Sequence, residues 1–181
     1  MRKILMMATA IMLCPAMLAA ATHESPGDPA AVAAMKDRDG KSVGAVRFFD
    51  TPHGVLLRAE LENLPAGEFG FHIHAVGKCA PDFDAAGGHF NPTGSEHGLL
   101  NDKGYHRGDM PNITVPESGA LVQEVFLPNL TVRDGKGHVL VDADGAAVMI
   151  HEGADDYRSD HAGHAGTRIA CGVIEPAAEG R

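Results

Sequence analysis

Histidine is the residue type whose number and spacing point most clearly to chemistry, with eleven histidines in 181 residues. His72 and His74 flank Ile73. Alternate residues of a β-strand share one face, so both imidazoles can reach a single metal ion while Ile73 points into a core. This pair alone is weak evidence, and a metal site needs further ligands elsewhere in the chain.

A second group of metal-ligand residues follows in one segment rich in Gly, Pro and Asn. It contains His89, His97, His106 and Asp109. Three imidazoles and one carboxylate make a tetrahedral set suited to Zn²⁺, and a site ligated entirely by protein is normally structural. We therefore predict a zinc site in this segment.

A third signal is His151, which ends a strand-like run. With His72 and His74 it would form an imidazole-rich site. Such a ligand set suits copper, and a coordination position left open would suit a redox substrate. The alternative is that these are unrelated surface or core histidines, which fits each one separately but not six of them in these contexts.

Short strands separated by turn residues must position these side chains. In one run Leu57, Ala59 and Leu61 alternate with charged residues, which indicates a strand with one buried face. Eight runs of this kind predict an all-β antiparallel sandwich or flattened barrel. The runs are residues 31–36, 42–49, 55–62, 68–75, 121–127, 138–142, 146–151 and 168–174.

Two long segments, residues 76–117 and 152–167, do not follow the strand pattern. Loops of this length are uncommon in a compact domain unless they are functional or disordered. The first contains the predicted zinc ligands and the second begins next to His151. We predict two long functional loops ordered by something other than a hydrophobic core.

The composition bounds the class of protein. A chain of 181 residues with 44% apolar and 22% charged residues is that of one soluble globular domain. The net charge of −9 argues against nucleic acid as the main partner. An anionic partner would have to be attracted by local basic residues.

The N-terminus predicts export. Arg2 and Lys3 precede an apolar run that ends in three alanines, so residues 1–21 are interpreted as a secretory signal peptide, residues 22–30 as a flexible leader and residues 31–181 as the functional domain. Cleavage leaves a net charge of −11 and two cysteines, Cys79 and Cys171. In an oxidising compartment such a pair is more often a disulfide than two free thiols.

Six stretches of the sequence resemble the motifs of the copper/zinc superoxide dismutase family, in that family's order. They are GFHIH (residues 70–74), GHFNP (88–92), EHG (96–98), HRGD (106–109), HEGADD (151–156) and GHAGTRIACGVI (163–174). The resemblance extends from about residue 31 to the C-terminus, and the last motif is highly specific. It implies an eight-stranded Greek-key β-barrel, in agreement with the strand count.

The resemblance also assigns metal ligands. It implies one copper ion held by His72, His74, His89 and His151, and one zinc ion held by His89, His97, His106 and Asp109. His89 is then a bridge that binds each metal through a different ring nitrogen.

Other residues receive roles in the same way. Asp155 corresponds to a carboxylate linking a copper-bound to a zinc-bound histidine, Arg168 to a cation beside the copper, and Cys79 with Cys171 to a disulfide. His89 and Arg168 are the expected catalytic residues. The implied reaction disproportionates two superoxide anions to O₂ and hydrogen peroxide by alternate reduction and reoxidation of copper.

Several alternatives remain open at this level. One is a secreted, non-catalytic carrier of copper or zinc on the same fold. A two-metal hydrolase is disfavoured, because such sites usually present carboxylates and a bridging water.

The sequence predicts a bacterial periplasmic location. It leaves open whether the chain is a monomer or a homodimer and whether a partner delivers copper, and it assigns His161 and His164 to loop solvation. We expect Arg168 to attract the substrate, together with cations drawn from Arg158, Lys78 and Lys103.

Overall fold

The computed structural model describes residues 26–177, so the predicted signal peptide lies outside the described residues. Within residues 26–177, no helix has the length and apolar character needed to cross a bilayer. The described part contains strands and one short 3₁₀ helix, Phe83–Ala86. The strands are β1 (Ala31–Asp37), β2 (Ser42–Thr51), β3 (Gly54–Leu61), β4 (Gly67–Phe69), β5 (Phe71–His74), β6 (Ile113–Val115), β7 (Leu121–Pro128), β8 (Leu130–Thr131), β9 (His138–Val139), β10 (Ala147–His151) and β11 (Arg168–Pro176).

Seven strands form one antiparallel sheet in the order β5-β10-β11-β1-β2-β3-β7. A small ladder adds β6 to β4, and β4 leads into β5 across the single residue Gly70. With β4 and β5 counted as one interrupted strand, this sheet and its ladder comprise eight strands, and β8 pairs in parallel with β9 in a separate two-stranded sheet. The all-β, Greek-key prediction is confirmed, since chain neighbours such as β1 and β2 pair directly while β1 also pairs with the distant β11.

One apolar cluster fills the interior. It draws on both halves of the curled sheet, with Phe48 and Leu57 from β2 and β3, and Phe71, Ile73 and Ile150 from β5 and β10, all fully buried. Because successive strand residues point to opposite faces, the same periodicity that buries Phe71 and Ile73 sends His72 and His74 to the outer face.

The eight predicted runs each contain a strand, with three differences in detail. One is that the two-residue strand β8, Leu130–Thr131, lies outside every predicted run. Residues 68–75 form two strands rather than one, because Gly70 belongs to neither strand and the two pair differently, β4 with β6 and β5 with β10. Residues 113–115 form β6 inside the segment predicted to be a loop, since three residues are too few to show a period. Between β5 and β6 the chain runs along the free edge of β5, where isolated bridges join His74 to His89 and His72 to Asp109.

Candidate metal centre

Glycine allows the long loop to lie directly on β5. The backbone N–H of Ile73 donates to Gly108 O at 2.9 Å, and the N–H of Phe90 donates to Ile73 O at 2.8 Å. A Cβ atom on Gly108 would stand 2.2 Å from Ile73 O, so no other residue permits this approach. The loop histidines are thereby pressed against the two strand histidines.

Two clusters of metal-compatible side chains result. We call the first the four-imidazole cluster and the second the mixed cluster. The four-imidazole cluster consists of His72, His74, His89 and His151, and the mixed cluster of His89, His97, His106 and Asp109. Within each cluster the candidate ligand atoms all lie within 4.8 Å of one another, and every member is buried. The structure thus brings together all seven side chains that the sequence analysis selected.

The rings of the four-imidazole cluster are held so that one nitrogen of each faces the centre. His74 Nδ1 donates to Gly87 O at 2.9 Å and His151 Nδ1 donates to Gly166 O at 3.2 Å. A carbonyl only accepts, so the Nε2 atoms of His74 and His151, 3.4 Å apart, are free to present lone pairs. His72 Nδ1 is buried with no hydrogen-bond partner.

The mixed cluster has the spacing of a tetrahedral site. Asp109 Oδ1 lies 2.8 Å from His89 Nδ1 and 3.3 Å from His106 Nδ1, and His89 Nδ1 and His106 Nδ1 are 3.4 Å apart. Ligands about 2.0–2.1 Å from one Zn²⁺ stand roughly 3.3 Å from each other. His97 Nδ1 lies 3.0 Å from Asp109 Oδ2 without hydrogen-bond geometry, as expected of two donors to one ion.

His89 belongs to both clusters. Its Nδ1 faces the mixed cluster, while its Nε2 is buried and has no hydrogen-bond partner. The centroid of its ring lies 4.1 Å from that of His72 and 5.1 Å from that of His97. An unpaired buried polar atom is costly, and a bound cation would satisfy Nε2 as well as His72 Nδ1. The donor sets therefore fit two metal ions that share one ring.

Asp155 links the two clusters through hydrogen bonds to one histidine of each. Its carboxylate accepts from His72 Nε2 at 2.9 Å and from His97 Nε2 at 3.0 Å. Each ring thus has its proton on Nε2 and turns Nδ1 toward its cluster, which is how an outer acceptor fixes the tautomer of a ligating histidine.

Two residues that support Asp155 were not found by the sequence analysis. The Asn112 amide clamps its backbone, accepting from Asp155 N at 2.9 Å and donating to Asp155 O at 3.0 Å. Gly163, at φ +60°, packs so closely that its Cβ atom would stand 1.7 Å from Asp155 Oδ1. No local sequence pattern marks Asn112 as a partner of Asp155, and Gly163 is marked only by the 163–174 motif that contains it.

Burial and the local carboxylates set the protonation of these groups. Burial lowers the pKa of His89 to about 4 and of His151 to about 3, and holds the pKa of His74 well below its ordinary value. Burial also acts to lower the pKa of His97, but the hydrogen bonds to Asp109 and Asp155 outweigh it and raise that pKa to about 9. His74, His89 and His151 are therefore neutral at pH 7, the form in which imidazole binds metal.

Arg168 stands at the edge of the four-imidazole cluster, opposite His151 in the β10–β11 ladder. Its Nη1 donates to Phe83 O and its Nη2 to Gly87 O, both at 2.6 Å. The side chain remains 19% exposed. The guanidinium is therefore fixed in orientation yet reachable from solvent.

The disulfide prediction is confirmed. Cys79 and Cys171 are bonded, and they link the start of the long loop to β11 three residues after Arg168. The segment that supplies Phe83 O and Gly87 O is thus tied to the strand that carries Arg168. The structure explains why the guanidinium and its two carbonyl acceptors keep their register.

Two of the other basic residues predicted to attract the substrate are engaged with other partners. Lys103 pairs with Glu96 at 2.8 Å, and Arg158 Nη1 donates to Leu100 O at 3.0 Å. His161 and His164 are exposed and belong to neither metal-compatible cluster of the described residues. A cation that the sequence analysis did not select, Arg38, contacts Arg168 directly, since its Nε donates to the backbone oxygen of Arg168 at 2.7 Å.

Comparison with known proteins gives one consistent family. The sequence model of copper/zinc superoxide dismutase matches residues 42–174. Superoxide dismutase (Cu-Zn) 1 of Aquifex aeolicus (strain VF5) is 48% identical over 141 residues, covering 77% of this chain and 83% of the relative. The Cu-Zn superoxide dismutase of Caulobacter vibrioides is 41% identical over 148 residues, covering 80% and 85%.

Solved structures agree. A SOD-like protein from Bacillus subtilis superposes with a TM-score of 0.75 at 37% identity, covering 80% of this chain and 97% of the other. The Cu/Zn superoxide dismutase from Brucella abortus gives a TM-score of 0.65 at 31% identity, covering 80% and 98%. This chain belongs to the copper/zinc superoxide dismutase family, whose metals are the two that the donor sets fit.

Proposed function

We propose that the four-imidazole cluster holds copper, that the mixed cluster holds zinc, and that the chain uses them to disproportionate superoxide to O₂ and hydrogen peroxide. The single observation that carries this assignment is the position of His89, whose two ring nitrogens face different clusters. Family membership indicates the reaction, and the geometry of the two clusters indicates which residues take part in it.

The chemistry of the donors decides which metal goes where. Imidazole-only ligation suits copper, whereas three imidazoles with one carboxylate form a closed tetrahedral set for Zn²⁺. The four-imidazole cluster would hold the copper, which would supply one-electron exchange with superoxide, and the mixed cluster would hold the zinc. Asp109 supplies the carboxylate of the zinc set and receives further hydrogen bonds from the backbone N–H groups of Gly98 and His106.

The protein's own residues bind the anion, orient the rings and hold a proton. Arg168 cannot lose its charge and keeps N–H donors for a small anion beyond the two that it gives to Phe83 O and Gly87 O. Asp155 keeps His72 and His97 in the tautomer that presents Nδ1. We assign to His89 Nε2 the holding of one of the two protons that hydrogen peroxide takes up, in the state in which this nitrogen would not be bound to copper.

Superoxide decay, followed before and after copper is removed and restored, tests the function. We expect one copper and one zinc per chain, with activity that disappears and returns with copper. His53→Gln, in an exposed turn, serves as the matched control for His72→Gln. A protein that binds both metals without accelerating superoxide decay would be the carrier of the alternative hypothesis, which the relatives named superoxide dismutase do not favour.

Export completes the proposal. We propose that residues 1–21 direct the chain to the bacterial periplasm, that residues 31–181 form the enzymatic domain after the leader 22–30, and that a copper-delivery partner loads it there. The disulfide fits an oxidising compartment. N-terminal sequencing of the exported protein should start at Thr22, and a chain that keeps Met1 would contradict export by cleavage. The choice between monomer and homodimer is left to sedimentation of that mature protein.

A further inference from the structure

Acceptors surround the guanidinium of Arg168 on the side of the 3₁₀ helix. Phe83 O and Gly87 O each take one N–H, and Asp84 Oδ1 lies 3.7 Å from Nε. Within residues 26–177, this is the one carboxylate within 4.0 Å of the guanidinium nitrogens. The two carbonyls are neutral and fix the plane of the group, whereas the carboxylate carries a full charge.

The carboxylate lies on the solvent side of the guanidinium. The Asp84 side chain is 89% exposed, against 19% for Arg168. Its backbone is held in place, because Asp82 caps the 3₁₀ helix by accepting from Asp84 N at 3.1 Å, and Asp84 O accepts from Gly87 N at 3.0 Å. An anion approaching Arg168 from solvent therefore meets a tethered negative charge.

We infer that Asp84 competes with small anions for Arg168 and thereby limits how tightly and how fast the site takes up superoxide. This inference rests on the proposed function, in which Arg168 binds the anionic substrate. A carboxylate and superoxide carry the same charge and seek the same N–H donors, so each weakens the binding of the other. Asp84 thus limits anion uptake by acting on Arg168.

The ion pair has little value for stability. An exposed carboxylate 3.7 Å from its partner contributes little to the free energy of unfolding. Removing its charge leaves Arg168 with both carbonyl acceptors and leaves Arg38 as a second cation bonded to the Arg168 backbone. Asp84→Asn should therefore change anion binding without changing the fold.

The experiment compares metal-loaded wild type, Asp84→Asn and Glu117→Gln. Glu117 is an exposed acid in the turn between β6 and β7, so its variant makes the same change in net charge away from Arg168. The first readout is the dissociation constant of azide, a monoanion that binds open metal positions, followed by optical spectroscopy. The second is the second-order rate of superoxide decay, each measured at roughly 10 mM and at roughly 1 M salt.

For Asp84→Asn at low salt we expect azide to bind about threefold more tightly and superoxide to react about threefold faster, with both gains much reduced at high salt. Glu117→Gln should stay near wild type. Equal azide constants and rates for the two variants would overturn the inference, as would gains that salt does not reduce. If wild type itself fails to accelerate superoxide decay, the proposed function fails instead, and the azide constants still decide whether Asp84 competes for Arg168.

Discussion

His74 and Arg168 meet at one backbone atom. His74 Nδ1 and Arg168 Nη2 both donate to the carbonyl oxygen of Gly87, at 2.9 and 2.6 Å. One peptide group therefore orients a proposed copper ligand and the guanidinium that faces the incoming anion. Gly87 lies in the loop tied to β11 by the disulfide, so the two side chains are positioned by the same rigid unit.

The guanidinium should be more than a positive charge. Arg168→Ala removes charge-assisted hydrogen bonds to the anion and is expected to lower kcat/KM by about 10- to 100-fold. Arg168→Lys keeps the charge but loses the planar pair of donors, so its kcat/KM should lie between those of wild type and Arg168→Ala. Stopped-flow superoxide decay gives the rates, and metal analysis should show unchanged loading. Equal rates for the alanine variant and wild type would remove Arg168 from the mechanism.

Asp155 should control metal affinity. In Asp155→Asn one of the two histidine N–H groups faces an amide N–H instead of an oxygen, because the carboxylate accepts from both rings. We expect about 10- to 100-fold weaker metal binding, measured by competition with a chelator. Asp102→Asn, an exposed change on the same long loop, is the control. Indistinguishable metal affinities for the two variants would contradict the linking role.

The local parts of the site could be predicted from sequence, and the long-range parts could not. His72 and His74 were found because strand periodicity alone places them on one face. Asn112 and Gly163 were missed because their importance depends on two loops that meet at Asp155, which no local pattern encodes. Strand β6 was missed for a similar reason, since its three residues are defined by pairing with β4.

The choice of basic residues expected to attract the substrate shows the same limit of local sequence patterns. Arg158 and Lys103 were selected from the loops that carry the metal ligands, but Arg38 is the cation bonded to the backbone of Arg168. Arg38 lies in the turn after β1, about 130 residues earlier in the chain. No local pattern indicates this proximity, which follows from the pairing of β1 with β11.

Zinc should stabilise the long loop. His97→Ala removes one of four zinc donors and one partner of Asp155, so metal binding stabilises the folded state less than in wild type. A 100-fold loss of affinity corresponds to about 2.7 kcal/mol, or roughly 5–10 °C in the Tm of the metal-loaded protein. Calorimetry of metal-loaded and metal-free protein measures this difference. An unaltered melting temperature in the loaded variant, with His53→Ala as control, would refute it.

The disulfide should account for a large share of the stability. Its half-cystines are 92 residues apart in the chain, and closing a loop of this length is worth about 4–5 kcal/mol in the chain-entropy model. The double variant Cys79→Ser/Cys171→Ser should lose roughly that free energy of unfolding, measured in urea. Reduced wild type is the matched comparison. A loss below about 1 kcal/mol would mean that the cross-link constrains the unfolded chain far less than the model states.

The shared ring of His89 connects the two proposed metal sites. Anomalous diffraction from metal-loaded crystals tests most directly whether His89 contacts both ions. Data at the copper and zinc absorption edges locate each ion separately. We predict copper in direct contact with His89 Nε2 and zinc about 2.0–2.1 Å from His89 Nδ1, with Asp109 on the zinc. Two ions that do not both contact this imidazole would contradict the assignment.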